Sequence, residues 1–392
     1  MPILNAHIVK KYDSFYNSST GATIQLASFT PDCGGVREYH AIFHVEPRQQ
    51  EFADQYSRLL FAVQELLGMP DLVGARVIFK RYFLSDACNQ VPQMIDLNDE
   101  GASVSCIQQP PLDGSKIALW LYLQQGVDDV HTDGDGVVVV DHNGYRQLWK
   151  MGMITPQGDS ATQTRVLLET FEAQLAKYHA TIADNCIRTW FYVRDVDIQY
   201  HGMVVARREN FEAHGLTPQT HYVSSTGIGG LPPDPKAIIQ LGTYSLVGFE
   251  PAQQRYLYAL DHLNKTIDYG VTFERGTLLE FGDRGHAYIS GTASIDSEGN
   301  VLYVGDIRRQ TARMWENVEA LLGEGAMTMD DIMQIVVYLR DTADYAVVSE
   351  MFAERFPATP YVITLAPVCR PAWLIEMECI AVDGRTTTFR PF

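Results

Sequence analysis

One pattern, a helix followed by an apolar strand, occurs three times along this chain of 392 residues and limits its fold more than any other feature. Each copy has a glutamine near the start of the predicted helix and an aspartate after the strand. The pairs are separated by 31, 32 and 31 residues: Gln55 and Asp86, Gln163 and Asp195, Gln310 and Asp341. Near-equal separations around one pattern indicate tandem copies of a single folding unit.

The last copy has the clearest secondary-structure signals. Residues 286–290 predict a short apolar strand, and residues 297–300 predict the turn of a hairpin between two strands. Residues 310–322 have the apolar spacing of an amphipathic helix. Residues 332–339 form an apolar run typical of a buried strand, residues 345–356 predict a second helix, and residues 374–382 predict a final strand. Comparable final strands are predicted at residues 116–123 and 237–247.

These elements predict an α+β protein of three tandem units, each made of both strands and helices. We place the units at residues 1–130, 131–250 and 251–392, because polar or proline-bearing stretches follow Val127 and Phe249. The second helix of the first unit, around residues 88–99, is expected to be short or lost.

Composition argues against several classes of protein. The formal net charge of −18 is unfavourable for nucleic-acid binding, which needs clustered Lys and Arg. No apolar run reaches membrane-spanning length, and the first residues lack a signal-peptide core. Six scattered cysteines form no metal-binding spacing and suit a reducing cytoplasm. Acidic residues near His131 are typical of a solvated loop. We therefore expect a cytoplasmic protein with no metal and no cofactor.

The last unit resembles the RidA/YjgF family. The matching residues are Ile289-Ser290-Gly291, Gln310-Thr311, Asn317-Val318, Val337-Tyr338-Leu339 with Asp341, Phe356-Pro357, and the strand from Ile375 to Val382. The resemblance implies that each unit is a mixed β-sheet backed by two helices, and that the units pack as a trimer with ligand sites between subunits. Three copies in one chain then predict a monomeric internal pseudo-trimer. Some proteins of this fold are labelled ribonucleases, a label that the acidic composition does not support.

Deaminating members of the RidA family bind the substrate carboxylate with an arginine shortly after the Phe-Pro that precedes the penultimate strand. Here Phe356-Pro357-Ala358 is followed by Thr359. This difference argues against imine or enamine deamination.

A second resemblance, to the chorismatases, covers roughly residues 140–385. It rests on Val368-Cys369-Arg370 ahead of a strand with Glu376 and Glu378, on the glycine turn from Ile289 to Ile295, on Tyr269-Gly270 with Phe273-Glu274-Arg275, and on Arg188 to Tyr192, Arg207-Arg208 and Ser225-Thr226-Gly227. Chorismatases cleave pyruvate from chorismate. The resemblance implies that Glu376 is the catalytic acid and that residues of the turn, Gly291, Thr292 and Ala293, border the substrate. The first unit has no firm counterpart in it.

The residues are suited to this chemistry. Glu376 and Glu378 lie at i and i+2, so on a strand they point to one face, where like charge and burial raise a carboxyl pKa. The alternative is that both face solvent from an edge strand. We predict that Arg370 and Arg275 bind two carboxylates, since a planar guanidinium grips a carboxylate at two points, and that Arg207 assists from the middle unit. Each arginine is equally compatible with a surface ion pair.

Three further residues have two interpretations each. Tyr192 and Tyr361 either bound the substrate ring or belong to the core. Cys369, beside Arg370, is either a reactive thiol or a small buried hydrophobe. Because chorismatases that form 3-hydroxybenzoate are similar here, Cys369 favours 3-hydroxybenzoate over a dihydrodiol.

The sequence thus predicts an enzyme that splits a small anion, chorismate, at the interface of the middle and last units. The alternatives are an imine or enamine deaminase and a non-catalytic module that binds small anions.

Overall fold

The computed structural model describes residues 9–31, 34–48, 51–95 and 101–392, which form three six-stranded sheets. Cys33 and residues 96–99 of the expected short helix lie outside the described residues. The three sheets are made by successive stretches of the chain, here called the first, middle and last units.

The first unit contains β1 (Val9–Asn17), β2 (Ala22–Thr30), β3 (Arg37–Val45), α1 (Phe52–Leu67), β4 (Arg76–Leu84), α2 (Ala87–Gln90), β5 (Ser103–Gln108) and β6 (Ile117–Gln125). The middle unit contains β7 (Asp129–Thr132), β8 (Val138–His142), β9 (Tyr145–Ile154), α3 (Ser160–Ala176), α4 (Ile182–Asn185), β10 (Cys186–Val193), α5 (Val196–Ala213), β11 (Ser224–Gly229) and β12 (Ile239–Val247). The last unit contains β13 (Gln254–Leu257), β14 (Gly276–Glu280), β15 (Arg284–Ala293), α6 (Ile307–Glu324), β16 (Ile332–Leu339), α7 (Tyr345–Arg355), β17 (Tyr361–Leu365) and β18 (Ile375–Gly384).

All three sheets have the same strand order, β1-β2-β3-β6-β4-β5 in the first unit and its equivalents in the others. The strands pair antiparallel except at one edge, where β4–β5, β10–β11 and β16–β17 are parallel. The α+β class with three repeated mixed sheets is therefore confirmed. The middle and last units each have two long helices, whereas the second helix of the first unit, α2, is a single turn.

The repeated glutamine has the same structural task in every unit. Each side chain is buried and accepts a hydrogen bond from the backbone N–H at the start of the central strand. The acceptor–donor pairs are Gln55 with Lys116 N at 2.8 Å, Gln163 with Ile238 N at 2.7 Å, and Gln310 with Leu374 N at 2.9 Å. The amide nitrogens of Gln163 and Gln310 also donate to carbonyls just before those strands. The helix is thereby locked to its central strand, since buried backbone groups need partners.

The turn expected at residues 297–300 is present, but the described residues after it do not form the second strand of the predicted hairpin. Only a single bridge, between Ile295 and Val301, joins the two arms. The Asp296 carboxylate accepts from the N–H groups of Glu298 and Asn300 and holds a tight turn. The chain then enters α6 at Ile307, so too few residues remain for a second strand.

The units pack head to tail around a common axis. The backbone N–H of Met151 in β9 donates to Ser103 of β5, and the N–H of Ser225 in β11 donates to Ser290 of β15. The N–H of Tyr361 in β17 closes the ring by donating to Gln25 of β2. Each parallel edge therefore meets the sheet of the next unit, which is the predicted internal pseudo-trimer. Within the described residues, no helix is long and apolar enough to cross a membrane.

A buried carboxylate fastens the first unit to the last. Glu38 accepts from Arg284 at 3.0 Å, from His286 at 2.8 Å and from Tyr122 at 2.8 Å. Burial acts to raise the pKa of Glu38, but His286 and Arg284 beside it hold that pKa well below its usual value. The folded state therefore requires Glu38 to be ionised.

We expect the Glu38→Gln variant to lose about 1–3 kcal/mol of unfolding free energy at neutral pH, because Arg284 and His286 each lose a charged partner, although Arg284 keeps its ion pair with Asp283. Since the folded pKa is depressed, the advantage of wild type is present above the ordinary carboxyl value of 4.5 and shrinks as the pH falls below it. Urea unfolding at neutral and acid pH measures both effects. The exposed Glu354→Gln is the control, and a difference that does not depend on pH contradicts the assignment.

Because the internal packing replaces three subunits by three units, we expect a solution mass of 44.0 kDa by light scattering. A mass three times larger contradicts this expectation.

Candidate functional site

A cavity of about 490 Å³ lies between the middle and last units. Helix α5 contributes Tyr200, Val204 and Arg208, which share one helix face at i, i+4 and i+8. The last unit contributes Glu376 from β18 and residues of the preceding segment, including Trp373. The cavity is therefore an interface site formed within one chain.

Glu376 is a buried carboxyl at this cavity, with 4% of its surface exposed. A side chain at Gly291, on the adjacent strand β15, would collide with its carboxylate, so the glycine makes room for it. Burial and the nearby Glu378 raise the pKa of Glu376 to about 8, against the opposing charges of Arg275 and Arg188. With a pKa of about 8, the carboxyl of Glu376 carries its proton at neutral pH where it borders the cavity.

Glu378 points to the same interior but is bound by protein groups. Its carboxylate accepts from Arg81 at 3.2 Å, Arg188 at 2.8 Å and Trp190 at 2.9 Å. Because β18 lies between β15 and β16, the edge-strand alternative for the two glutamates is wrong. Glu378 is an ion-paired neighbour, and Glu376 is the carboxyl that borders the cavity.

The structure places the predicted arginines differently from one another. Arg275 and Arg370 both line the cavity. Arg275 is 3% exposed and donates to the Asn264 carbonyl, and Arg370 lies 4.8 Å over the Trp373 ring. Arg207 is buried behind the wall, donating to Thr272 at 3.3 Å and to Ser225 at 3.4 Å, and does not border the cavity.

Two of the three predicted turn residues, Gly291 and Ala293, border the cavity. Thr292 does not, since its hydroxyl donates to the Ser290 carbonyl inside the sheet. Cys369 borders the cavity, but burial and the charge of Glu376 raise the pKa of its thiol to about 12. The hypothesis of a reactive thiolate at neutral pH is therefore unfavourable.

Neither tyrosine borders this cavity. Tyr192 is buried on β10 and pairs with Gln240 of β12. Tyr361 lies in a second cavity of about 300 Å³ between the first and last units, beside His44 and Asp113. Both belong to other interfaces of the pseudo-trimer.

Sequence reasoning assigned no site role to several lining residues, chiefly Arg208, Tyr200, His201, Trp373 and Thr226, although Arg208 and Thr226 belong to the segments that resemble the chorismatases. The spacing of Tyr200, Val204 and Arg208 is a helical stripe that a face analysis of α5 would have found. The sequence contained no signal for which unit that face meets.

Only one of the three equivalent interfaces has an acid at the position of Glu376. The strand pairings align Glu376 opposite Tyr338, Gln240 opposite Tyr192 and Ala118 opposite Phe83. Gln240 fills its interface with a hydrogen bond to Ser105 at 2.8 Å. The three copies therefore differ at this position, and the acid lies between the middle and last units.

Thr359 lies at the interface of the last and first units, whereas the cavity lies between the middle and last units. Thr359 precedes β17, whose first residue pairs with the first unit rather than with the cavity. By strand pairing, the residue that corresponds to it beside the cavity is Val223, ahead of β11. Neither position therefore has the arginine of the deaminating members.

An exposed group near the start of the middle unit, Asp129, His131 and Asp141, has ligand atoms within 4.8 Å of one another. Arg146 donates to both carboxylate oxygens of Asp141, at 2.7 and 3.1 Å, and His131 lies 2.6 Å from Asp129. These side chains satisfy one another, and we assign them no metal.

Comparison with known proteins agrees with this fold. Residues 282–383 match the family model described as endoribonuclease L-PSP. A RutC family protein of Pyrococcus abyssi is 35% identical over 96 residues, which are 24% of this chain and 76% of that protein. The chain belongs to the RidA/YjgF superfamily.

Solved structures extend the likeness of this RidA/YjgF chain. A chorismatase crystal structure aligns with a TM-score of 0.61 over 80% of this chain and 96% of that chain at 19% identity, which shows a shared fold. This share exceeds the middle and last units, so the alignment reaches into the first unit, where the sequence indicated no counterpart. RidA from an Antarctic Psychrobacter species aligns over 32% of this chain and 98% of its own, at 19% identity and a TM-score of 0.28.

Glu376 gives a prediction about stability that does not depend on any substrate. Its folded pKa is raised, so its contribution to the unfolding free energy is full below 4.5 and is lost as the pH rises towards 8. We expect wild type to lose several kcal/mol more than Glu376→Gln between about pH 5 and pH 9, as measured by urea unfolding. Equal losses in both proteins would show that Glu376 ionises normally.

Proposed function

We propose that this RidA/YjgF protein is a cytoplasmic enzyme that cleaves the enolpyruvyl ether of chorismate, releasing pyruvate and a ring acid. The observation that carries the proposal is a protonated carboxyl, Glu376, in a cavity that Arg275 and Arg370 also line. Chorismate has two carboxylates and an acid-labile enol ether, so it needs cationic groups and a proton donor together.

In the proposed reaction, Glu376 gives its proton to the terminal methylene carbon of the enol ether. The ether becomes an oxocarbenium ion, to which a water molecule adds, and the resulting hemiketal collapses to pyruvate and the ring alcohol. The proton released by the added water restores Glu376. The bond from the former enol carbon to the ring oxygen breaks, and one water is consumed when the product is the dihydrodiol acid. If the ring alcohol then loses water to become aromatic, the product is 3-hydroxybenzoate and no net water is consumed.

The environment of Glu376 suits this step. A general acid works best when its pKa lies near the operating pH, and a pKa of about 8 keeps it protonated at neutral pH yet able to transfer the proton. After transfer, the buried carboxylate of Glu376 stabilises the adjacent oxocarbenium ion through its negative charge.

Arg275 and Arg370 supply the positive charge for the two carboxylates of the substrate. Guanidinium groups bind carboxylates at two points and stay charged when buried. Arg208 lines the same cavity from α5 and adds a third cation at its wall.

The ring product depends on Cys369. The resemblance at Cys369 to chorismatases that form 3-hydroxybenzoate favours that product, but a thiol pKa of about 12 leaves Cys369 protonated and unsuited to act as a thiolate. The proposal is therefore cleavage of the ether, with 3-hydroxybenzoate and the dihydrodiol acid as the two products to be distinguished.

The test is incubation of the purified protein with chorismate, with pyruvate followed by lactate dehydrogenase and the ring product identified by mass spectrometry. We expect pyruvate release to fall above about pH 8 as Glu376 ionises. Glu376→Gln should reduce kcat by about 10²–10⁴ while chorismate still binds. Arg275→Met should mainly raise KM, and the exposed Arg355→Met is the matched control.

Absence of pyruvate from folded protein would overturn the proposal. Turnover of 2-iminobutyrate in its place would indicate a deaminase, and binding of chorismate without turnover would indicate a binding module. Retained turnover in Glu376→Gln would refute the acid assignment alone.

A further inference from the structure

Arg81, from the first unit, is a fully buried cation at the centre of the molecule, with 0% of its surface exposed. Its guanidinium lies 4.8 Å from the ring centroids of both Trp120 and Trp190. It donates one hydrogen bond, of 3.2 Å, to Glu378. Among the described residues, its Nε and Nη2 atoms have no hydrogen-bond partner.

Glu378 receives groups from two units besides its own. Arg81 reaches it from β4 of the first unit, and Arg188 and Trp190 reach it from β10 of the middle unit. Glu378 is also two residues from Glu376 on the same face of β18. A change in the charge of Glu378 therefore changes the electrostatic potential at the carboxyl of Glu376, which borders the cavity.

Stability alone is a poor reason for this arrangement. A buried ion pair gives little net stability over well-packed apolar residues, and the two unpartnered nitrogens of Arg81 add a desolvation cost. Arg81 belongs to the first unit, yet its guanidinium pairs with Glu378 beside the interface of the middle and last units. Of the three interfaces, this is the one that has an acid at the position of Glu376.

We propose that Arg81 and Glu378 are positioning residues that set the acid strength of Glu376, so that the first unit takes part in the reaction without touching the substrate. This inference rests on the proposed function of Glu376 as a general acid. Arg81 partly neutralises Glu378, and the remaining negative charge keeps the proton on Glu376.

Other charged and titratable groups also surround Glu376, and none of them is substituted in this test. They come from every element around it: Arg188 on β10, Tyr338 on β16, Arg275 ahead of β14, Cys369 and Arg370 ahead of β18, and Asp197, His201 and Arg208 on α5.

Two substitutions should move the pKa of Glu376 in opposite directions. Glu378→Gln removes a negative charge and leaves Arg81 and Arg188 without their anion, so the pKa should fall by about one unit or more. Arg81→Met leaves Glu378 bound by Arg188 and Trp190 with less compensation, so the pKa should rise. The double variant removes one charge of each sign and should lie between the two.

The pKa of Glu376 is measured in two ways. The first is the pH at which chorismate cleavage falls. The second needs no turnover: each variant is compared with its own Glu376→Gln partner by urea unfolding from about pH 5 to pH 9, which locates the titration of Glu376. Arg76→Met is the control, because Arg76 is an exposed arginine on the same strand β4 and has no contact with Glu378.

Opposite shifts, with the double variant between them and Arg76→Met unchanged, support the inference. An unchanged titration in Arg81→Met overturns it, as does an unchanged or raised titration in Glu378→Gln. If Glu378→Gln does not fold, the upward shift in Arg81→Met decides. Shifts seen by unfolding in a protein that releases no pyruvate would refute the proposed function and leave the electrostatic coupling established.

Discussion

A buried glutamine amide fixes the position of the central strand in each of the three units. In the last unit, the Gln310 side chain accepts from Leu374 N and donates to the Ala372 carbonyl, immediately ahead of β18. Glu376 follows two residues later, so the clamp also fixes where the carboxyl enters the cavity. The clamp explains why the spacing from helix to strand is repeated so closely, since a helix displaced by one residue would leave buried backbone groups without partners.

The chemistry of the site depends on a balance of buried charges. Burial and Glu378 favour the protonated form of Glu376, while Arg275 and Arg188 favour the ionised form. With burial and Glu378 alone the carboxyl would stay protonated, and with the two arginines alone it would stay ionised. In either case it would be unsuited to proton transfer near neutral pH. Equivalent positions in the other interfaces are filled by a neutral amide, Gln240, and by a methyl group, Ala118, where no such balance is required.

Local patterns in the sequence were sufficient for the repeat, for α6, α7, β15, β16 and β18 of the last unit, and for the shared face of Glu376 and Glu378. Each of these depends on residues close together along the chain or on strand alternation. The positions of Arg207, Tyr192 and Tyr361 depend instead on which unit meets which edge, and that is decided by contacts between residues 48 to 336 positions apart along the chain. Tyr192 is the counterpart of Tyr338, which pairs with Glu376, but Tyr192 itself pairs with Gln240 at another interface.

Joining the units in one chain has a consequence for how the site responds to dilution. A cavity between separate subunits is lost when the subunits dissociate, so its occupancy falls with protein concentration. Here α5 and β18, which form opposite walls, are held at an effective local concentration set by the chain between them. The site is therefore complete in every molecule, even at protein concentrations so low that separate subunits would dissociate.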